Sequence, residues 1–359
     1  MEIDQKIKLI EEEIRKTPYH KGTEHHIGKL RAKIAKLKEE QLSCRLKSKG
    51  GGGKGFAFKK SGDATVVLVG PPSVGKSTLI NQITKAQSKV AAYDFTTVGV
   101  IPGMMEYQGA KIQIFDVPGI ISGAAQGKGR GKQILSVVRG ADLIVIMVDV
   151  NSLSKIQEIK NELYEFGIRL DEEKPKINIV KTLKGGIKIF SACRQKYLSL
   201  NTIKEIAQEF KIRNAEITLK EDINLQRLID AFMGNRVYLP YLTVVNKIDL
   251  SPKIKLGGDF IFISAKKEIG LQRFKQALWE KLKLIRVYLQ PKDKKTDFAQ
   301  PLIIKKGQNL RRILTTVCLF GEEGIKAAKI YGPGAKFPGQ EVSLDFQPQE
   351  GTIISFRGG

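Results

Sequence analysis

An α/β fold is predicted for this chain, and three features predict it. Short β-branched and aliphatic runs alternate with helical segments from Ala64 onward. The first run, Thr65-Val66-Val67-Leu68-Val69, leads straight into the glycine-rich string Gly70-Pro71-Pro72-Ser73-Val74-Gly75-Lys76-Ser77. A later run, Leu242-Thr243-Val244-Val245, ends in Asn246-Lys247-Ile248-Asp249.

Each run is predominantly apolar and rich in β-branched residues, the mark of a parallel strand covered on both faces. Ile112–Phe115, Leu143–Val148 and Phe260–Ile263 repeat the pattern. In such sheets ligands bind beyond the carboxyl ends of the strands. Residues 61–284 are read as this domain. Its rhythm breaks between Asn151 and Leu239, where Glu165-Phe166-Gly167-Ile168-Arg169-Leu170, a Lys184-Gly185-Gly186 turn and a helix over Leu200–Phe210 predict an inserted α+β subdomain at 165–238. Residues 285–359 alternate strand-like runs with Gly and Pro turns and predict a β-rich domain around one helix near Leu310–Cys318.

Before Ala64 the pattern is helical. Ile3, Ile7, Ile10 and Ile14 recur on one face, Thr17-Pro18 and Lys21-Gly22 interrupt, and Thr23 has the character of an N-cap. Leu30, Ile34 and Leu37 continue a second stripe, giving a basic helical hairpin within residues 1–60. Lys29, Arg31, Lys33, Lys36 and Lys38 are expected on its solvent face. That face suits a nucleic acid, although the stripe alone requires only packing between helices. Gly50–Gly53 reads as a flexible linker.

The chain has 359 residues, enough for two or three domains, and 42% of them are hydrophobic, so a full core can form. Its formal net charge of +24 points to a polyanionic partner such as RNA, the ribosome, DNA or an anionic membrane, unless the charge only serves solubility. The three cysteines, Cys44, Cys193 and Cys318, are widely spaced and odd in number, which argues against a disulfide framework and fits a reducing cytoplasm. No signal-peptide core opens the chain, and Leu143–Val148 is far too short to span a bilayer. A soluble, cytoplasmic, monomeric protein is expected. His20, His25 and His26 fall in the amino-terminal turn, away from the motifs, and read as surface residues.

The string Gly70–Ser77 is a G-x-x-x-x-G-K-S phosphate loop between a strand and a helix. Backbone amides of Gly70, Ser73, Val74, Gly75 and Thr78 and the positive helix terminus favour phosphate there. Lys76 is expected to reach the β- and γ-phosphates and Ser77 to ligate Mg²⁺. Asn246-Lys247-Ile248-Asp249 selects the base. Asp249 can accept from both N1–H and the 2-amino group of guanine, and adenine offers neither donor. The Lys247 stem covers the base, and Asn246 ties this loop to the phosphate loop. Ser264-Ala265-Lys266 follows the next strand, where the Ala265 amide is expected to meet guanine O6.

Asp116-Val117-Pro118-Gly119 lies between these motifs, also at a strand end. Asp116 is expected on Mg²⁺ and the Gly119 amide near the γ-phosphate. Phe95-Thr96-Thr97 offers the switch hydroxyl, Thr97 first and Thr96 as the alternative. Ile120 stands where many GTPases carry a water-orienting Gln, so slow intrinsic turnover is expected. Gln126, Lys128 or Arg130, in the glycine-rich segment Ser122–Gly131, are candidates for the missing catalytic group. The same segment reads equally well as a phosphate- or RNA-contacting loop.

These strings resemble the developmentally regulated GTP-binding proteins, a branch of the Obg-type GTPases. The resemblance rests on Gly62-Asp63-Ala64, Pro72 through Leu79, Phe95-Thr96-Thr97, Asp116 through Ile121, Gly123 through Gly131, and Gly234-Asn235-Arg236-Val237-Tyr238, and it spans essentially the whole chain. It implies a P-loop GTPase domain, an insertion resembling ribosomal protein S5, and a carboxyl-terminal TGS domain of β-grasp shape. It also implies ribosome and RNA association and, in some relatives, a small stabilising partner protein. Some relatives use K⁺, but those with the clearest K⁺ site carry Asn where this chain has Ser73. Many relatives have Glu at the position of Ser122. The competing functional readings are a GTP-hydrolysing switch on ribosomes or RNA, an RNA-binding module in which GTP only regulates, and a membrane-surface GTPase, the last disfavoured by the lack of a lipidation motif.

Overall fold

A computed structural model describes residues 3–46, 61–84, 101–117, 131–251, 259–291, 296–317 and 325–356. In chain order its helices and strands begin with α1 (Ile3–Lys16), α2 (Glu24–Leu46), β1 (Ala64–Val69), α3 (Lys76–Thr84), β2 (Ile101–Tyr107), β3 (Ala110–Asp116), α4 (Gly131–Gly140), β4 (Leu143–Asp149) and α5 (Lys155–Glu165). β5 (Ile168–Leu170), β6 (Ile177–Lys181), β7 (Ile187–Ser191), α6 (Leu200–Glu209), β8 (Ala215–Leu219), α7 (Leu225–Met233) and β9 (Val237–Leu239) follow. The rest are β10 (Tyr241–Asn246), β11 (Phe260–Phe262), α8 (Leu271–Leu282), β12 (Leu284–Leu289), β13 (Leu302–Lys305), α9 (Leu310–Val317), β14 (Ala327–Tyr331), β15 (Gln340–Ser343) and β16 (Ile353–Phe356). They form two compact units.

One unit holds β1 to β4, α3 and the described residues from Pro240 on. Its main sheet has the order β11-β10-β4-β1-β3-β2. All neighbours are parallel except β2, which returns antiparallel along β3. Gln108 and Gly109 both have positive φ, so the β2–β3 connection is the tight turn whose twist matches a hairpin. β1 is buried along its whole length, Thr65 included, as a β-branched strand covered on both faces requires. The core stacks Val66, Leu68, Ile112, Ile114 and Val145 under Leu79, Phe274 and Leu278 of the helices. Chain connections leave β1 toward β3 on one side and β4 on the other, so its carboxyl end is the switch point where ligands bind.

The same unit carries a second sheet, β13-β12-β16-β14-β15. β12 runs parallel to β16, and the other pairs are antiparallel. Leu310, Ile313 and Leu314 of α9 fill its core with Val287, Ile330 and Ile354. The helix expected near Leu310–Cys318 is described to Val317; Cys318 lies outside the described residues.

The other unit holds α1, α2, α4 to Arg139, α5 from Gln157, and the described residues up to Leu239. The sheet β6-β8-β7 takes α6 and α7 on one face, and β5 pairs with β9. α2 joins this core: Ala32 is fully buried among Ile203, Ile206 and Ala207. A Cβ on Gly28 would come within 3.0 Å of Ile206, so the helices meet closely there.

This packing changes the expected distribution of charge on the hairpin. Lys29 pairs with Glu205 at 2.9 Å, and Lys36 donates to the Glu209 carbonyl and lies over the Phe210 ring. Of the five basic residues, Arg31, Lys33 and Lys38 are the exposed ones. The Thr23 carbonyl does open α2, but its hydroxyl bonds the Pro18 carbonyl at 2.6 Å and accepts from the His20 amide, bracing the turn rather than the helix. His26 pairs with Glu13 at 3.0 Å, and His20 Nδ1 accepts from the Gly22 amide.

Arg169 and Asp230, both 2% exposed, form a two-pronged ion pair with contacts of 2.7 Å. Arg236 extends it to Glu39, and Arg139 reaches the Asn235 carbonyl. Among the described residues no helix is long and apolar enough to cross a membrane. The Gly50–Gly53 linker lies outside the described residues.

Candidate functional site

The phosphate loop is shaped by contacts that exclude side chains. A Cβ on Gly70 would sit 2.0 Å from the Met147 carbonyl oxygen of the neighbouring strand. Gly75 has φ of +93°, and a Cβ there would sit 2.5 Å from Asn246 Nδ2. Ser73 also adopts a left-handed conformation, at φ 63°. The loop then enters α3 at Lys76, whose first turn has unpaired amides aimed along the helix axis. The Val74 side chain is core, so its contribution to the site is its backbone. Thr78 lies exposed in the first helical turn.

Lys76 differs from its expected pose. Its ammonium is buried and donates to the carbonyls of Gly70 at 3.0 Å and Pro71 at 2.9 Å, bridging the loop across itself. A buried cation needs acceptors, and these carbonyls supply them. Burial pushes its pKa down, and the Asp116 carboxylate pulls partly the other way. Reaching a phosphate requires the side chain to leave those two carbonyls.

Ser77 and Asp116 are brought together. The Ser77 hydroxyl donates to Asp116 Oδ2 at 2.7 Å. Asp116 is 8% exposed, and its Oδ1 is buried with no hydrogen-bond partner among the described residues. An orphaned carboxylate oxygen beside a hydroxyl is a hard-oxygen donor set, and it fits Mg²⁺ or water bound to Mg²⁺. When bound, Mg²⁺ would neutralise charge on the nucleotide phosphates. Phe95, Thr96, Thr97, Gly119, Gln126, Lys128 and Arg130 lie outside the described residues.

Asn246 staples three segments. Its Nδ2 donates to the Val74 carbonyl at 2.8 Å, and its Oδ1 accepts from the Ala265 amide at 2.9 Å. The Ala265 amide was expected to face guanine O6; here its single proton is used within the protein. Ile248 N donates to the Ile263 carbonyl, fastening the two base-side loops together. Asp249 is the middle residue of a 3₁₀ turn over Ile248–Leu250. A hydrogen bond from the buried Ser264 side chain holds its carboxyl below the usual range, and Lys267 adds to the effect. Asp249 is therefore an ionised acceptor at neutral pH. Lys266 is exposed.

Lys247 shows what the sequence reading missed. It adopts a left-handed conformation, and its Nζ donates to the Ser73 carbonyl at 2.8 Å and to Asp149 Oδ2 at 2.9 Å. Asp149 also accepts from the Ser152 hydroxyl at 2.7 Å and from the Asn151 amide. Burial alone would raise its pKa, but the hydrogen bonds from Lys247 and Ser152 outweigh this and hold it below the usual range. The available signal was position: Asp149 closes the apolar run Leu143–Val148, at a strand end facing the ligand side.

Comparison with known proteins agrees with this geometry. Residues 65–182 match the family model described as 50S ribosome-binding GTPase, and residues 184–284 match the model for the C-terminal region of that domain. A GTP-binding protein of Methanocaldococcus jannaschii, itself uncharacterized, is 46% identical over 99% of this chain and 93% of its own length. Developmentally-regulated G-protein 3 of Arabidopsis thaliana is 40% identical over 98% of both chains. Developmentally-regulated GTP-binding protein 1 of Xenopus laevis is 39% identical over 97% of both. With a phosphate loop stapled to a guanine-type loop and relatives matched end to end, the chain is a GTP-binding protein belonging to the developmentally regulated GTP-binding protein family.

Proposed function

We propose that this protein hydrolyses GTP to GDP and phosphate in a Mg²⁺-dependent reaction and acts as a nucleotide-controlled switch on ribosomes or structured RNA in the cytoplasm. The observation that carries the catalytic part is the Ser77–Asp116 pair with its unpartnered Asp116 Oδ1, which has the chemistry of a magnesium site. Asp249, kept ionised by Ser264, is the guanine acceptor. The charge of +24 and the match to a family of ribosome-binding GTPases both support a ribosomal or RNA target. The sheet β6-β8-β7 with its two helices suits the S5-like insertion. The second sheet, with β12 parallel to β16 and one helix in its core, suits a TGS domain of β-grasp type. Ile120 in place of Gln supports slow intrinsic turnover.

Two measurements test this. Asp249→Asn should weaken GTP and favour xanthosine triphosphate; unchanged GTP affinity removes the assignment of the base reader. In sedimentation with ribosomes, a non-hydrolysable GTP analogue should retain the protein better than GDP. Equal retention with both nucleotides, together with no stimulation of hydrolysis, defeats the switch and leaves a nucleotide-regulated RNA binder.

A further inference from the structure

We infer that the open face of the β6-β8-β7 sheet is a stacking platform for unpaired RNA, with Phe190 as its stacking residue. This deepens the proposed action on RNA and rests on it. The pleat sends Ile177, Ile179, Ile187, Ile189, Ala215 and Ile217 toward α6 and α7. The alternate positions face away, and the register aligns them in two rows. One row is Asn178, Thr218 and Phe190; the other is Val180, Glu216 and Lys188. Phe190 is 52% exposed and Val180 is 49% exposed.

A large ring on the open face of a sheet costs solubility, and a nucleobase is a ligand that would use it. Bases stack on aromatic side chains irrespective of sequence, and exposed sheet faces provide such platforms for single strands. The row containing Phe190 also presents Thr218 and Asn178, whose hydroxyl and amide can bond base edges. Lys188 is two residues from Phe190 on the same face, about 7 Å away, within reach of the phosphate of a stacked nucleotide.

The surrounding charge fits the same ligand. Between Lys174 and Lys220, counting both faces of the sheet and the helix α6, there are eleven Lys and Arg residues against three Glu. Glu205 is already paired with Lys29 on α2. Glu216 is the one carboxylate among the six face positions, opposite Lys188 in the register. The turn between β6 and β7 adds Lys184 beside Leu183, which is 99% exposed. A protein ligand for so basic a segment would need a matching acidic surface; a polyanion with stackable bases suits both the segment's charge and the exposed ring of Phe190.

The test is fluorescence anisotropy on the full chain, using a labelled mixed-sequence single-stranded oligoribonucleotide and a duplex of the same sequence. Phe190→Ala should weaken single-strand binding by about tenfold and leave duplex binding unchanged. Phe190→Trp should retain the affinity. Glu216→Gln should strengthen single-strand binding, because it removes a repelling charge from the face. Photocrosslinking with 4-thiouridine should map to the β7 strand, a readout that does not depend on the variants. If the full chain binds RNA but Phe190→Ala has no effect, or if Trp fails as badly as Ala, the platform is wrong and the RNA-directed switch stands. If the full chain binds neither single strand nor duplex, both readings fall together.

Discussion

Lys247 Nζ lies 2.9 Å from Asp149 Oδ2, so the lysine expected to cover the base is anchored by the end of the adjacent strand. The register pairs Asn246 with Asp149, which places the next residue, Lys247, over the carboxylate. Asp149→Asn keeps the shape and removes the charge. It should weaken GTP and GDP equally, by about tenfold, because a hydrogen bond to a charged group contributes on the order of 1.5–3 kcal/mol and this one is partly exposed. Calorimetric titration of both nucleotides checks it. A loss confined to GTP would mean that Asp149 senses the γ-phosphate instead. The carboxyl pKa is lowered, so the pair's contribution is complete above the ordinary carboxylate value and is lost only as pH falls through the lower folded value. Affinity should not decline on this account between neutral pH and about pH 5.

Asn246 couples the phosphate loop to the base-side loops, and Gly75 is the position that admits it. Gly75→Ala places a methyl group 2.5 Å from Asn246 Nδ2 at a φ of +93°. Strain and clash act together, so nucleotide binding should be lost while the unit containing α2 and α6 keeps its circular-dichroism signature. Asn246→Ala should weaken binding by about tenfold or more, since it strands the Val74 carbonyl and the Ala265 amide. Binding at wild-type strength in Gly75→Ala would show that the loop rearranges freely.

Legibility followed locality. Gly70–Ser77 and Asn246–Asp249 could be read because their chemistry sits in contiguous residues at the ends of apolar strands. The pairing of Ser77 with Asp116 follows because Ser77 lies in the first turn of α3, to which the phosphate loop leads from β1, and Asp116 closes the adjacent parallel strand β3. Asp149 could not be read from a motif, because its partner lies 98 positions away and only the β4–β10 register joins them. The hairpin was legible as two helices, but not its partner. Gly28 and Ala32 look like ordinary helix residues until α6 is brought against them, and Lys29 and Lys36 look like solvent charges until Glu205 and Glu209 arrive. Lys76 was legible as a phosphate ligand, but its attachment to Gly70 and Pro71 depends on burial.

The Arg169–Asp230 pair is a second long-range feature with a measurable cost. Both side chains are 2% exposed. Asp230→Ala leaves Arg169 buried without its counter-charge and should destabilise the unit by about 3–5 kcal/mol in denaturant unfolding. The double variant Arg169→Met with Asp230→Leu removes both charges and should recover most of that loss. A double variant as unstable as Asp230→Ala would show that shape, rather than charge, dominates at this position.

Glu162, half-buried on α5, makes the stability of that unit depend on pH. Burial, helped by Glu165, raises its pKa from 4.5 to about 7. Between those values the folded protein holds a proton that the unfolded chain has released. Stability therefore falls as pH rises through this window, and the full cost is present above about pH 7. At one pKa unit per 1.36 kcal/mol, and discounting for screening by solvent, the cost at alkaline pH is about 1–2 kcal/mol. Glu162→Gln removes it. The variant should melt a few degrees higher than the wild type near pH 8, with the difference shrinking to nothing below about pH 3.5, where the glutamate is protonated in both the folded and the unfolded states. Differential scanning calorimetry across this range decides the matter, and an offset that does not change with pH would assign the gain to packing rather than to a proton.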